Sequence, residues 1–121
     1  MSYYTRLEVT CDDTGRIKGA VAETDIIAAA ESFVTRNGLH KDVLSDLKDA
    51  LRGFNNSDIG FNRVPGFLIE MMMLHVSTAI PDVTFYVRAV GEEFNDVWMR
   101  QIRDGKIVFG QGPFAEEAPG D

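Results

Sequence analysis

Few side chains in this chain are typed and spaced for chemistry. The single cysteine, Cys11, is followed directly by Asp12 and Asp13. Carboxylates beside a thiol oppose thiolate formation, whereas a catalytic cysteine needs its thiolate stabilised. Cys11 therefore reads as a structural thiol at a strand end. The two histidines, His40 and His75, have no second histidine and no carboxylate three or four residues away. A helix-borne metal site needs such a pair on one face. His75 falls at the border of an apolar helix face and is expected to be a core-edge histidine bonded to backbone. His40 reads as a solvated residue or a helix cap. Gly110-Gln111-Gly112 is no dinucleotide fingerprint, because no helix opens after it. Glu92, Glu93 and Asp96 make an acidic turn without the ligand spacing of a calcium loop. No catalytic residue, metal ligand or cofactor is assigned.

Arg100 is the odd residue. Strand alternation puts it between Trp98 and Ile102, and a simple hairpin register sets it opposite Phe109. A guanidinium among apolar side chains needs a carboxylate or a route to the rim. One reading is a structural ion pair with Glu31 or Glu70. The other is an anion pocket between sheet and helices, lined by Glu70, His75, Trp98 and Arg100.

A second constellation is electrostatic. Arg6, Arg16, Lys18, Arg88, Arg103 and Lys106 are six of the twelve basic residues, and alternation sends them to one sheet face together with Tyr4 and Tyr86. That face is either simply solvated or a binding face for an acidic partner, a nucleic acid strand or a second copy of the chain. Arg6, Tyr86, Arg88, Arg103 and Lys106 are its candidate binding residues. Arg103 and Lys106 oppose each other directly, and like charges so placed repel. On a helix, Asp42, Asp46 and Asp49 line one side. They suit a solvated face or a docking strip for a basic partner.

These residues depend on the elements that position them. The segments 83–90, 97–103 and 106–111 read as a three-stranded antiparallel meander. Asp104-Gly105 between the last two is a strong two-residue hairpin signal, because the turn needs positive φ at its centre. Residues 3–10 alternate as a half-buried strand, with Leu7 and Val9 on its apolar side. Asp12-Asp13-Thr14-Gly15 suits a turn that would pair Val9 with Gly19 and Leu7 with Val21, giving a first hairpin. Helical spacing marks three helices: from Glu23 or Thr24 to about Asn37, stopped by Gly38; from about Lys41 to Arg52; and from Pro65 to Ala79, blocked by Pro81. The expected core face carries Leu7, Val9, Phe85, Val87, Ala89, Trp98, Ile102, Ile107 and Phe109. The third helix is apolar nearly all round, so it is either central or, around Met73 and Leu74, a homodimer surface.

Composition bounds the class. The chain has 121 residues, 45% of them hydrophobic, enough for one core without disulfide or metal staples. One cysteine permits no intramolecular disulfide framework, and a reducing cytoplasm is the simplest compartment. The opening MSYYTRLEVT shows no basic run before an apolar stretch, so no signal peptide is expected. No apolar run approaches the length of about 20 residues that a membrane span needs. Net charge is −7, which disfavours non-specific nucleic acid binding.

The sequence thus predicts one α+β domain over residues 1–111 with a flexible acidic tail over 112–121. Its architecture is a two-layer sandwich of about five antiparallel strands with about three helices on one face. The expected function is a small acidic binding or regulatory module acting through protein contacts, of which an inhibitor or immunity-type protein is one form. Two alternatives stay open. One is a small-molecule binder or enzyme using the pocket near Trp98 and Arg100. The other is a single-stranded nucleic acid binder using the basic sheet face.

Overall fold

The computed structural model describes residues 6–14, 19–52, 66–90 and 97–112. The elements run β1 (Arg6–Asp12), α1 (Glu23–Arg36), α2 (Asp42–Ala50), α3 (Gly66–Ala79), β2 (Thr84–Val90), β3 (Val97–Arg103) and β4 (Lys106–Gln111). The fold is α+β, and the described residues form three helices and a four-stranded antiparallel sheet of order β1-β2-β3-β4.

The C-terminal meander forms at the expected boundaries. Asp104 and Gly105 have φ of 52° and 76°. Positive φ at both centres of a two-residue connection defines a type I′ turn, and it sets Arg103 opposite Lys106 and Ile102 opposite Ile107. The turn is also tied to the rest of the molecule. Gly105 N–H donates to the buried Ser77 Oγ at 3.0 Å, and Asp82 N–H donates to Asp104 Oδ1 at 2.9 Å.

Helix ends follow their signals. Asn37 closes α1, and Gly38 takes the left-handed φ of 66° that lets the chain leave the helix. At the start of α2, Asp42 N–H donates to His40 Nδ1 at 3.1 Å, so His40 acts as a cap.

The first hairpin does not form as expected. Among the described residues the sheet has four strands rather than five, and Gly19 to Ala22 is not strand. β1 pairs along its whole length with β2, from Arg6↔Val90 to Asp12↔Thr84. Side-chain chemistry accounts for the lost pairing. Asp12 Oδ1 accepts Thr14 N–H at 3.0 Å, and Asp13 Oδ2 accepts Val21 N–H at 2.7 Å. Acidic side chains that take backbone donors compete with a ladder. Gly19, at φ 86°, also leaves the β region. Tyr4, Arg16 and Lys18 lie outside the described residues. So do the loop over 53–65, the acidic turn over 91–96 and the tail beyond Gly112.

Burial alternates along the inner strands. Leu7, Val9, Phe85, Val87, Ala89, Trp98 and Ile102 are buried with Ile26, Ala30 and Phe33 of α1, Leu47 of α2 and Ile69, Met72 and Val76 of α3. Met73 is fully buried and Leu74 packs against the same cluster. The apolar belt of α3 at Met73 and Leu74 is thus covered within one chain, which removes the reason for expecting a dimer there.

The last strand departs from the expected faces. The register shifts between Gln101 and Ile102, so that Gln101 faces Phe109 and Arg100 faces Gly110. Val108 is the extra residue of a β-bulge, and every residue beyond it changes sides. Phe109 accordingly leaves the core face and is 46% exposed, while Ile107, opposite Ile102, is 43% exposed at the sheet margin.

Candidate functional site

Arg100 is where the sequence first points to chemistry, and it is built into the interior. It is 1% exposed. Nε donates to Glu70 Oε2 at 2.5 Å, and Nη1 donates to the carbonyls of Met99 and Gln111 at 2.8 and 2.6 Å. The guanidinium carbon lies 5.1 Å from the Trp98 ring centroid, within cation–π range. Strand alternation puts Arg100 inside, and α3 brings Glu70 to meet it. Nη2 is the one buried side-chain atom without a hydrogen-bond partner among the described residues. The charge is neutralised, and two of three nitrogens hold the fold together.

His75 does not join that group. Its hydrogen bonds run to α1, with Ser32 Oγ 2.8 Å from Nε2 and Arg36 Nη2 3.1 Å from Nδ1. Its partners are side chains rather than the expected backbone. Arginine can only donate, so Nδ1 accepts, Nε2–H donates to Ser32 Oγ, and Ser32 donates to the Ala29 carbonyl at 3.1 Å. Serine activation needs the opposite direction, with the imidazole taking the hydroxyl proton and a carboxylate on Nδ1. The pairing of Ser32 with His75 was not legible in the sequence, since 43 residues separate them and no motif links them.

Cys11 is half-buried, and burial with Asp13 and Asp12 nearby pushes its thiol pKa up, as its sequence neighbours imply. The described residues hold no cluster of three or more His, Cys, Asp or Glu able to grip a metal.

The surface with binding character is the outer sheet face. Alternation and register lay its residues in transverse rows. Asp12, Thr84, Arg103 and Lys106 form the first, Thr10, Tyr86, Gln101 and Phe109 the second, and Glu8, Arg88, Met99 and Gln111 the third. The second and third rows enclose a shallow cavity of about 110 Å³. Tyr86, Met99 and Phe109 are 40%, 38% and 46% exposed there, an apolar group on an open surface. Phe109 belongs to it only because of the bulge.

The cations of this face are less free than their types suggest. Arg88 Nη2 donates to Glu8 Oε1 at 2.7 Å across β1 and β2. Arg103 donates to Thr84 Oγ1 at 3.2 Å and has Asp82 and Asp104 carboxylates at 4.0 and 3.9 Å. The repulsion between Arg103 and Lys106 therefore has local compensation, contrary to the expectation from sequence. The missed signal is Glu8, which shares the outer face with Arg88 once β1 lies on β2. Arg6, Tyr86, Arg88, Arg103 and Lys106 do share one face, but its centre is apolar and its basic character is offset.

Asp42 and Asp49 are exposed on α2, and Asp46 is half-buried. No helix among the described residues is long and apolar enough to cross a membrane. Comparison with protein-family models, curated proteins and solved structures finds no match.

Proposed function

We propose that this protein is a small acidic binding or regulatory module that works through protein–protein contacts on the outer sheet face. In this reading the three helices form the second layer of a sandwich and leave that face open. The cytoplasm suits it, because its one cysteine is a free thiol. The observation that carries the reading is the apolar group Tyr86, Met99 and Phe109 around the outer cavity, flanked by the Glu8–Arg88 ion pair and by Arg103 and Lys106. An apolar centre inside a polar rim is how protein interfaces are built, and aromatic, methionine and arginine side chains are enriched in them. A nucleic acid partner would meet cations already matched by carboxylates on a chain of net charge −7.

A pocket for a small anion beside Trp98 and Arg100 has one observation in its favour, the buried Nη2. Against it, Glu70 already neutralises the guanidinium.

The test is recovery of partners from native lysate by cross-linking. The double variant Tyr86→Ala, Met99→Ser is expected to lose most of the recovery. Arg88→Glu with Arg103→Glu should weaken it less, and both proteins should melt close to the wild type. Equal recovery by all three proteins would remove the outer face from consideration.

A further inference from the structure

We infer that Arg100 is a positioning residue for the outer-face group: from the helix side of the sheet it holds the last residues of β4 and so sets Phe109 beside Tyr86 and Met99. The inference rests on the protein-contact reading and adds to it a residue that touches no partner. Phe109 has little packing of its own to place it. It is 46% exposed, and β4 contributes no fully buried side chain. Segments with few buried apolar contacts are the ones that open at the lowest cost. The bulge at Val108 also interrupts the ladder just before Phe109. It separates residues 109–111 from the turn, which Ser77 and the Asp104–Asp82 contact hold.

What seats that stretch comes from the other side of the sheet. Met99 and Gln111 are paired across β3 and β4, and Arg100 Nη1 donates to both of their carbonyls, at 2.8 and 2.6 Å. Bonds from a guanidinium are charge-assisted and stronger than neutral ones. Arg100 is itself fixed, because Nε is held by Glu70 of α3 and the guanidinium lies against the Trp98 ring. The β4 residue opposite Arg100 is Gly110, which brings no side chain between the guanidinium and the strand. The chain then passes through Gly112 at φ 102°. A Cβ there would stand 2.5 Å from Trp98 Cβ and 2.6 Å from Trp98 Cα and the Val97 carbonyl oxygen. So close an approach to β3 requires glycine. Arg100 and Gly112 therefore seat the end of β4 on β3. Phe109 lies two residues before Gln111, on the face opposite the guanidinium, and lines the outer cavity with Tyr86 and Met99.

The experiment is amide hydrogen exchange on the full chain, read residue by residue. Arg100→Met together with Glu70→Met removes both charges at once, so no buried charge is orphaned and the melting midpoint should stay close to the wild type. Protected amides among Phe109, Gly110 and Gln111 should exchange roughly tenfold faster or more, while those of β2 keep their wild-type rates. Gly112→Ala leaves Arg100 intact but sets a Cβ against backbone, so it should speed the same amides. The lysate partners that Tyr86→Ala, Met99→Ser loses should also be lost by the double methionine variant and by Phe109→Ala.

Unchanged exchange at residues 109–111 in the double methionine variant overturns the inference. So does faster exchange spread evenly over β2, β3 and β4 with a lowered melting midpoint, which marks Arg100 as a residue of general stability. If exchange rises only at 109–111 but the partners are still recovered, the positioning inference fails and the protein-contact reading survives. If no lysate partner depends on Tyr86 and Met99, that reading fails by itself, and exchange at 109–111 alone decides whether Arg100 places Phe109.

Discussion

Among the described residues the sheet ends in β1 and β4, and these two strands are held by different forces. β1 is anchored by apolar burial: Leu7 and Val9 are 0% and 1% exposed, while Arg6 and Thr10 face solvent and Glu8 is tied to Arg88. β4 has no fully buried side chain. What fixes it is polar and sits at its two ends. Ser77 Oγ and the Asp104–Asp82 contact hold the turn, and Arg100 grips the Gln111 carbonyl at the other end. An edge stapled by hydrogen bonds can leave its apolar side chains outside, whereas an edge stapled by burial cannot. Position in the sheet alone does not decide whether an edge strand is sealed. The residues that point inward decide it.

The comparison breaks most sharply at Glu70. Its loss leaves the Arg100 guanidinium buried without its carboxylate and loosens the tether to β4. Glu70→Ala is expected to cost about 3–5 kcal/mol in chemical denaturation, the range for orphaning a buried charge. A loss below about 1 kcal/mol would mean that the pair contributes as little as an exposed one.

The strands themselves can be tested against each other. Leu7→Ala should cost about 2–5 kcal/mol through lost burial and the cavity left behind. Ile107→Ala, at a site 43% exposed, should cost less than about 1 kcal/mol. Equal losses in the two variants would show that β4 is anchored by burial after all.

A further effect is expected at the turn. Gly105→Val should destabilise by about 1 kcal/mol or more, since a β-branched residue resists positive φ. A Cβ there would also collide with Thr78 Oγ1. Gly105→Ala in a Thr78→Ala background separates strain from clash. Unchanged melting of Gly105→Val would remove the turn as a determinant of the β4 edge.

Much of this was legible in the residues. Strand alternation places Trp98, Arg100 and Ile102 inside, and Asp104-Gly105 identifies its turn because few other residue pairs take positive φ twice at low cost. Gly38 and Pro81 bracket α1 and α3 for equally local reasons. The candidate site was legible only in part. Alternation assigns Tyr86, Arg88 and Arg103 to the correct face, but it puts Phe109 on the wrong one and gives no weight to Glu8.

What the sequence determined by itself is whatever depends on a residue and its near neighbours: φ at Asp104 and Gly105, the side to which Arg100 points and the ends of the helices. What only the tertiary structure decided is whatever depends on partners distant in the chain. Glu70 rather than Glu31 meets Arg100, because α3 sets it 2.5 Å away. β1 lies along β2, about 80 residues away in the chain, and Asp13 reaches the Val21 N–H that the expected hairpin would have used. Val108 bulges, and that single inserted residue turns Phe109 from core to surface. A period of two carries no record of where it slips, so the face on which this protein can meet a partner was completed by the fold.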